Sequence, residues 1–233
     1  MRAFEAAVAL GYEYLETDVH ATADGVLIAF HDETLDRVTD HRGPVAAMTW
    51  AELRPVRIDG IEPVVRFDEL LEAMPDIRIN VDAKVDAAVG PLIDAVRRAG
   101  ALDRLCFGAV DDRRVAQIRH ALGRGACTAF GTREVAALRL LASGVQPFRA
   151  PLQRRPGRCV QVPVRWHGVT VVDPGFVAAA HDLGLPVHVW TINEADEMER
   201  LLDLGVDGLM SDRPALLRDV LVRLGAWPPG STG

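Results

Sequence analysis

The stretch RINVDAK, residues 78–84, alternates polar and apolar side chains as a β-strand does. This two-residue period sends Asn80, Asp82 and Lys84 to one face and the apolar side chains to the other. Parallel strands are normally buried on both faces. A carboxylate and an ammonium near a strand end therefore indicate the mouth of an α/β barrel, where barrel enzymes carry their chemistry. A purely structural ion pair of Asp82 with Lys84 is the alternative.

Strand-like apolar runs alternate with amphipathic helical segments along the chain, which is the pattern of parallel βα units. The 233 residues predict one domain, 1–233, with an α/β fold of the TIM barrel type. Strands are predicted at 13–19, 25–31, 78–83, 104–109, 126–130, 186–192 and 207–211, with a less regular run at 169–172. Helices are predicted at 2–10, 67–74, 91–99, 112–122, 132–142, 176–183, 194–204 and 214–224, with Pro91 and Pro214 in first turns. Excursions from the barrel are predicted at 33–66 and 143–168.

The first two predicted strands carry a second group of polar residues. Glu16 and Asp18 project from one face of strand 13–19, and His31 ends the next apolar run. Two carboxylates on one face repel each other unless a cation lies between them, and Mg²⁺ and Ca²⁺ prefer such oxygen ligands. An imidazole near neutrality suits proton transfer. Solvated residues at strand ends are the alternative.

Composition and charge argue against several classes of main partner. The net charge of −7 and the pI near 5.5 argue against nucleic acid or an anionic membrane surface as the main partner. No apolar run is long enough to span a bilayer, and the N-terminus has no signal peptide, so a cytoplasmic protein is expected. Three widely spaced cysteines indicate reduced thiols. The arginine cluster at 154–158 is interpreted as a solvated loop, and the oligomeric state is left open.

Six motifs together resemble the glycerophosphodiester phosphodiesterases, metal-dependent hydrolases with a barrel like that of phosphatidylinositol-specific phospholipase C. The resemblance covers essentially the whole chain, and the order and spacing of the motifs are highly specific. The motifs are Glu16-x-Asp18, Asp24-Gly25, HDETLDRVT at 31–39, Asn80-x-Asp82-x-Lys84, WTIN at 190–193, and GVDG at 205–208 with SDRP at 211–214.

The resemblance implies a role for each matching residue. Glu16, Asp18 and Asp82 are the expected ligands of a divalent cation, Mg²⁺ or Ca²⁺. His31 is expected to be one of two catalytic histidines, and Lys84 to contact phosphate. Trp190 is expected to line the substrate pocket, with a core position as the alternative.

The implied reaction is metal-dependent hydrolysis of a small glycerophosphodiester to an alcohol and glycerol 3-phosphate. Two alternatives stay open. One is a non-catalytic barrel that keeps the metal site and serves as a binding protein. The other is a lysophospholipase D-like attack on a lysolipid.

The chain departs from the family pattern in two main places. It opens inside a helix, so the family's first strand, with its His-Arg-Gly and the following Glu-Asn-Thr, is expected to be missing. The tripeptide His41-Arg42-Gly43 lies in a turn and is interpreted as unrelated. A displaced start is predicted, and a signal peptide upstream of it stays open; a true terminus at Met1 predicts little or no hydrolysis. Asp82 stands where glutamate is usual.

Overall fold

The computed structural model describes residues 1–227, which divide into two units. The first unit holds Met1–Val8 and Glu13–Cys127, and the second holds Ala9–Tyr12 and the chain from Thr128 onward. The prediction of a single domain over 1–233 stays a prediction. None of the helices within residues 1–227 has the length and apolar character needed to cross a bilayer.

The first unit is built on one sheet with the strand order β5-β2-β1-β6-β7, followed by β8. Its strands are β1 (Tyr14–Ala21), β2 (Leu27–Ala29), β3 (Arg57–Ile58), β4 (Glu62–Pro63), β5 (Val65–Arg66), β6 (Arg78–Ala83), β7 (Leu105–Gly108) and β8 (Cys127–Thr128), with β3 and β4 forming a separate hairpin. Its helices are α1 (Arg2–Ala9), α2 (Trp50–Leu53), α3 (Phe67–Ala73), α4 (Asp86–Ala99) and α5 (Asp112–Leu122).

Strands β1, β6 and β7 are parallel, as predicted, but β2 is antiparallel to β1. The expectation of a parallel barrel strand at 25–31 is therefore wrong. The reason is the tight turn between the two strands. Gly25 has a φ of 80°, and Asp24 Oδ1 accepts a hydrogen bond from Thr22 Oγ1 at 2.6 Å. Such a turn joins antiparallel neighbours, whereas parallel neighbours need a long crossover.

The core of the first unit lies between the sheet and its helices. Leu15, Val19, Ile79, Val81 and Ala83 are buried on one face of β1 and β6, so the alternating residues Glu16, Asp18, Asn80 and Asp82 occupy the other face. Helix α1 packs its apolar side chains against this core.

Helix α4 begins at Asp86, five residues before the predicted start, so Pro91 lies inside the helix and not in its first turn. The added turn buries Ala88 and Val89 against the core. That burial offsets the hydrogen bond that Pro91 cannot donate.

The predicted excursion at 33–66 is confirmed except at its end, where β5 joins the main sheet beside β2. It contains only short elements, including α2 and the β3–β4 hairpin, and Leu35, Val45, Leu53 and Val56 form a small core of their own with Ile28.

The second unit contains a parallel sheet with the order β13-β12-β9. Its strands are β9 (Val160–Pro163), β10 (Arg165–Trp166), β11 (Val169–Thr170), β12 (Val187–Trp190) and β13 (Gly208–Leu209). Its helices are α6 (Thr132–Ala142), α7 (Arg149–Gln153), α8 (Pro174–His181), α9 (Ala195–Asp203) and α10 (Pro214–Arg223). Val160, Val162, Val187 and Val189 are buried in the core of this unit.

Two predictions in this unit are wrong. Residues 143–168 contain a sheet strand, β9, in which Val160 and Val162 are buried at period two. The strand was not predicted because the surrounding Arg, Pro and Gly residues are typical of a loop. The run at 169–172 is not a strand of the parallel sheet. Its first two residues form β11, which pairs only with β10 across the turn His167-Gly168.

Candidate active site

Asp18 and Asp82 stand directly opposite each other on the parallel strands β1 and β6. Glu16, two residues earlier on β1, stands opposite Asn80. All four side chains project from the polar face of the sheet. Neighbouring strands lie about 4.8 Å apart, so two carboxylates in this register repel each other strongly unless a cation intervenes.

Lys84 supplies a positive charge to this pair. Its Nζ lies 2.8 Å from Asp18 Oδ1, and the side chains of Lys84 and Asp18 are 27% and 12% exposed. Burial alone would lower the pKa of Lys84, but the hydrogen bond and charge of Asp18 outweigh burial and raise that pKa. Asp82 and Glu16 add smaller contributions in the same direction. Lys84 is the only lysine in a chain whose other cationic side chains are arginines and histidines.

Asp82 lies where a negative charge is unfavourable. Burial raises its pKa, Lys84 partly offsets that shift, and the neighbouring Asp18 raises the pKa again. Folding therefore makes the negative charge of Asp82 more costly, and a further cation would offset that cost.

His31 reaches the same cluster from the end of the second apolar run. Its Nε2 lies 4.0 Å from Asp18 Oδ2, while its Nδ1 lies 2.6 Å from Asp32 Oδ1. Arg37 donates to both oxygens of Asp32, at 2.6 and 2.8 Å. These bonds from Arg37, together with the bond to His31, hold the pKa of Asp32 far below its usual range despite partial burial. An ionised Asp32 therefore fixes the orientation of the His31 ring.

Two backbone contacts place the segment that carries His31. The amide of Phe30 donates to the carbonyl of Asp18 at 2.9 Å. The buried His20 lies with its Nε2 3.2 Å from the carbonyl of His31, so Nε2 carries the proton and donates it. Burial lowers the pKa of His20, which favours the neutral ring.

Arg114 of α5 supports the end of β6. Its guanidinium donates to the carbonyl oxygens of Ala83 and Lys84, at 3.2 and 2.6 Å, and its Nε donates to Asp86 at 2.6 Å. The backbone from which Lys84 projects is thereby tied to the neighbouring helix.

In the second unit, Trp190 ends β12 as a half-buried side chain opposite Pro163 of β9. Three residues later, Asn193 connects the WTIN and SDRP motifs. Its Oδ1 accepts from the amide of Asp212 at 2.9 Å and from Ser211 Oγ at 3.1 Å, and its Nδ2 donates to Asp212 at 2.9 Å.

The structure thus groups Asp18, Asp82, Lys84 and His31 in one cluster of the first unit. Glu16 lies on the same face but is exposed. Trp190 belongs to the second unit.

Sequence reasoning gave no role to Asp32, Arg37 and Arg114, which support this cluster. It did single out His20, at period two from Glu16 and Asp18, as a residue that could approach the site. The role of Asp32 could have been predicted, because this carboxylate directly follows His31 in the sequence. Arg114 contacts the carbonyl of Lys84, 30 positions away in the sequence, and no local sequence pattern predicts such a contact.

The donors on this face are carboxylate oxygens, which fit a hard cation such as Mg²⁺ or Ca²⁺ in chemistry and charge. As they stand, no three His, Cys, Asp or Glu side chains within residues 1–227 are grouped closely enough to hold a metal ion. In particular, the ammonium of Lys84 occupies one oxygen of Asp18.

Comparisons with known proteins identify the family of the chain. Residues 1–216 match the model of the glycerophosphoryl diester phosphodiesterase family. A Mycobacterium tuberculosis protein named "Probable glycerophosphodiester phosphodiesterase 2" is 36% identical over 230 residues, which cover 97% of this chain and 86% of the relative.

Solved structures show the same fold. A Silicibacter pomeroyi protein assigned as a glycerophosphoryl diester phosphodiesterase aligns with a TM-score of 0.81 at 23% identity, covering 98% of this chain and 90% of its own. An Oleispira antarctica phosphodiesterase, solved in complex with the product sn-glycerol-3-phosphate, aligns with a TM-score of 0.77 at 19% identity. The alignment covers 94% of this chain and 89% of the Oleispira antarctica chain. The predicted α/β fold class of the TIM barrel type is confirmed.

The match spans nearly the whole of the described chain, and it includes both sheets and every motif on which the resemblance rested. The chain therefore belongs to the glycerophosphoryl diester phosphodiesterase family, a family of phosphoric diester hydrolases.

Proposed function

We propose that this protein hydrolyses glycerophosphodiesters to an alcohol and glycerol 3-phosphate with a divalent cation, Mg²⁺ or Ca²⁺, held by Glu16, Asp18 and Asp82. The observation that carries the proposal is the in-register pair of Asp18 and Asp82, which Lys84 and His31 both approach. The name of the Mycobacterium tuberculosis relative and the product bound to the Oleispira antarctica protein support the same substrate class.

The roles follow from the contacts. The raised pKa of Lys84 keeps its ammonium charged at neutral pH, so Lys84 binds a phosphate oxygen as a full cation. Asp32 holds Nδ1 of His31, which leaves Nε2 on the side of Asp18. Nε2 is therefore the atom that exchanges a proton with the leaving alcohol or with the nucleophile.

The cation would contribute positive charge that the side chains at this point do not supply. Asp18 and Asp82 bring two carboxylates to one point, and Lys84 offsets only one of them. A bound divalent cation neutralises a non-bridging phosphate oxygen and the charge that develops on it. Shortening the usual glutamate ligand to Asp82 leaves an oxygen donor of the same type.

The direct test is turnover of glycerophosphocholine by protein purified from its source, followed as release of glycerol 3-phosphate. EDTA is expected to abolish the activity, and added Mg²⁺ or Ca²⁺ to restore it. We expect His31→Ala to lower the rate by about 10²-fold or more, the usual contribution of a general acid or base. His41→Ala is the matched control, because His41, like His31, pairs with an adjacent aspartate, Asp40, at 2.9 Å, and its loss should leave the rate unchanged.

Three results would overturn the proposal. Turnover that persists in EDTA would remove the cation from the mechanism. Binding of glycerol 3-phosphate without turnover of any glycerophosphodiester would favour the binding-protein alternative. A rate on lysophosphatidylcholine that exceeds the rate on glycerophosphocholine and grows with chain length would favour the lysophospholipase D-like alternative.

A further inference from the structure

A β-hairpin, β10–β11, follows the end of β9 in the second unit. Its base is fixed because the amides of Val171 and Val172 donate to the carbonyl of Val164 at 2.9 and 3.3 Å, and both of these donors are buried. Its turn consists of His167 and Gly168, whose φ values are 46° and 83°. Two central residues with positive φ match the twist of a hairpin. The hairpin is thus preformed and anchored.

The hairpin presents an apolar pair to solvent. Trp166 and Val169 are cross-strand partners, 42% and 60% exposed. The indole contacts the ring of His167 edge-on, with centroids 5.0 Å apart. All six residues from Arg165 to Thr170 are exposed. A large apolar pair held outward on a fixed backbone loses little conformational entropy when a partner covers it.

The surroundings of this pair are basic, although the chain as a whole is acidic. Residues 143–172 contain five arginines and no aspartate or glutamate, and of these arginines Arg149 pairs with Asp182 and Arg155 with Glu134. In the hairpin, the guanidinium of Arg165 donates to Thr170 Oγ1 and to the carbonyl of Gly168, and no carboxylate of the described chain pairs with it. Charges act over about 8–10 Å at physiological salt, so the charge of Arg165, which lies in the hairpin itself, acts on what approaches the apolar pair.

We propose that the β10–β11 hairpin docks the protein on an anionic phospholipid surface. Trp166 and Val169 enter the interface, where tryptophan is favoured because its ring is both apolar and polar. Arg165 meets the headgroup phosphates while its stem lies along the apolar boundary. The hairpin begins just after Pro163, which stands opposite Trp190 in the sheet, so docking brings that end of β12 towards the lipid. This inference does not rest on the proposed hydrolysis.

Co-sedimentation with vesicles of phosphatidylcholine, with and without phosphatidylglycerol, tests the proposal. We expect the wild type to bind the anionic vesicles and to dissociate in high salt. The double variant W166S/V169S should lower the bound fraction by about fivefold or more, because it removes the apolar contact. Arg165→Gln should weaken binding to the anionic vesicles. Ile61→Ser, which changes a 68% exposed residue in the turn of the β3–β4 hairpin, is the matched control and should bind as the wild type does.

Three results would overturn the proposal. The first is wild-type protein that stays in the supernatant with both kinds of vesicle. The second is a double variant that binds as the wild type does. The third is a dimer in sedimentation velocity that W166S/V169S converts to monomer, which would make the hairpin a contact between copies of the chain. Unchanged thermal unfolding of Arg165→Gln confirms that its effect does not come from misfolding.

Discussion

Lys84 and Asp18 form an ion pair across two neighbouring parallel strands, with Nζ 2.8 Å from Oδ1, in a chain that has no other lysine. The pair is largely shielded from solvent, and the carboxylate of Asp82 stands beside it in register with Asp18. The ammonium therefore balances part of the negative charge that the fold concentrates at this point.

Lys84→Met is expected to lower both stability and activity. Without the ammonium, two carboxylates face each other, and we expect a loss of about 2 kcal/mol, between the values for surface and buried ion pairs. Turnover of glycerophosphocholine should fall by about 10²-fold or more, as when a preorganised charge is removed from a site. Thermal unfolding and initial rates measure the two effects. Lys84→Arg keeps the charge and is the control for stability; equal activity of Lys84→Met and wild type would contradict the role of Lys84.

Asp32→Asn is expected to impair His31 without unfolding the protein. The substituted amide would still reach Nδ1 of His31, but it would lack the charge that orients the ring and engages Arg37. We expect kcat to fall by about 10- to 100-fold with little change in KM, as when a supporting carboxylate is lost. Asp40→Asn, in the exposed pair of Asp40 with His41, is the matched control. A drop of the same size in both variants would show that the effect does not pass through His31.

Asp82→Asn is expected to raise stability at neutral pH while it lowers activity. The pKa of Asp82 is raised by folding, so the folded wild type binds more protons than the unfolded chain and loses stability as pH rises through its unfolded pKa of about 3.9 and above. The neutral amide of the variant removes that cost. The variant should therefore melt at a higher temperature than the wild type at pH 7 without added metal, and the difference should vanish at acid pH.

Asp76→Asn changes an exposed carboxylate just before β6 and should show no such pH dependence. If Asp82→Asn were less stable than the wild type at pH 7, the negative charge of Asp82 would be better compensated in the folded wild type than its contacts indicate.

Arg114→Met is expected to loosen the backbone at Lys84. It leaves the carbonyls of Ala83 and Lys84 without their guanidinium partner, so we expect a fall in kcat of about 10-fold or more, a typical cost of misplacing a catalytic group. Faster amide hydrogen exchange at the end of β6 should accompany that fall. Arg113→Met changes a neighbouring arginine that is 76% exposed and pairs with Asp111, so both quantities should stay at wild-type values. An unchanged kcat in Arg114→Met would remove Arg114 from the site.

Most of the secondary structure follows from local patterns in the sequence. Strand β6 and the helices α5 and α6 have the predicted bounds, because regular periodicity continues up to clear end signals. Two features could not be predicted from local patterns: the antiparallel direction of β2 and the presence of strand β9. Whether a short strand pairs parallel or antiparallel depends on its partners, and four apolar-patterned residues among Arg, Pro and Gly give too little signal.

The candidate site was likewise predictable only in part. The chemistry-bearing residues Asp18, Asp82 and Lys84 were predictable because they lie near the ends of strand-like runs, and parallel strands present their ends at one edge. His31 also follows a strand-like run, but that strand, β2, is antiparallel to β1, so this rule does not explain its position. Their supports were not predictable, since Arg114 acts from another helix through backbone carbonyls. The ion pair actually formed also differs from the simplest expectation: Lys84 pairs with Asp18 on the neighbouring strand, whereas the sequence pattern suggests Asp82 on its own strand.

The measurement that tests the central claim most directly is magnetic resonance of the protein after reductive methylation with isotope-labelled methyl groups. Methylation keeps the charge, and with one lysine in the chain only Lys84 and the terminal amine carry the label. We predict that glycerol 3-phosphate added with Mg²⁺ shifts the Lys84 signal in a saturable manner, leaves the terminal amine unmoved, and has no such effect in Asp82→Asn. A Lys84 signal that stays fixed while calorimetry shows glycerol 3-phosphate binding would contradict the assignment of the phosphate site to Lys84, Asp18 and Asp82.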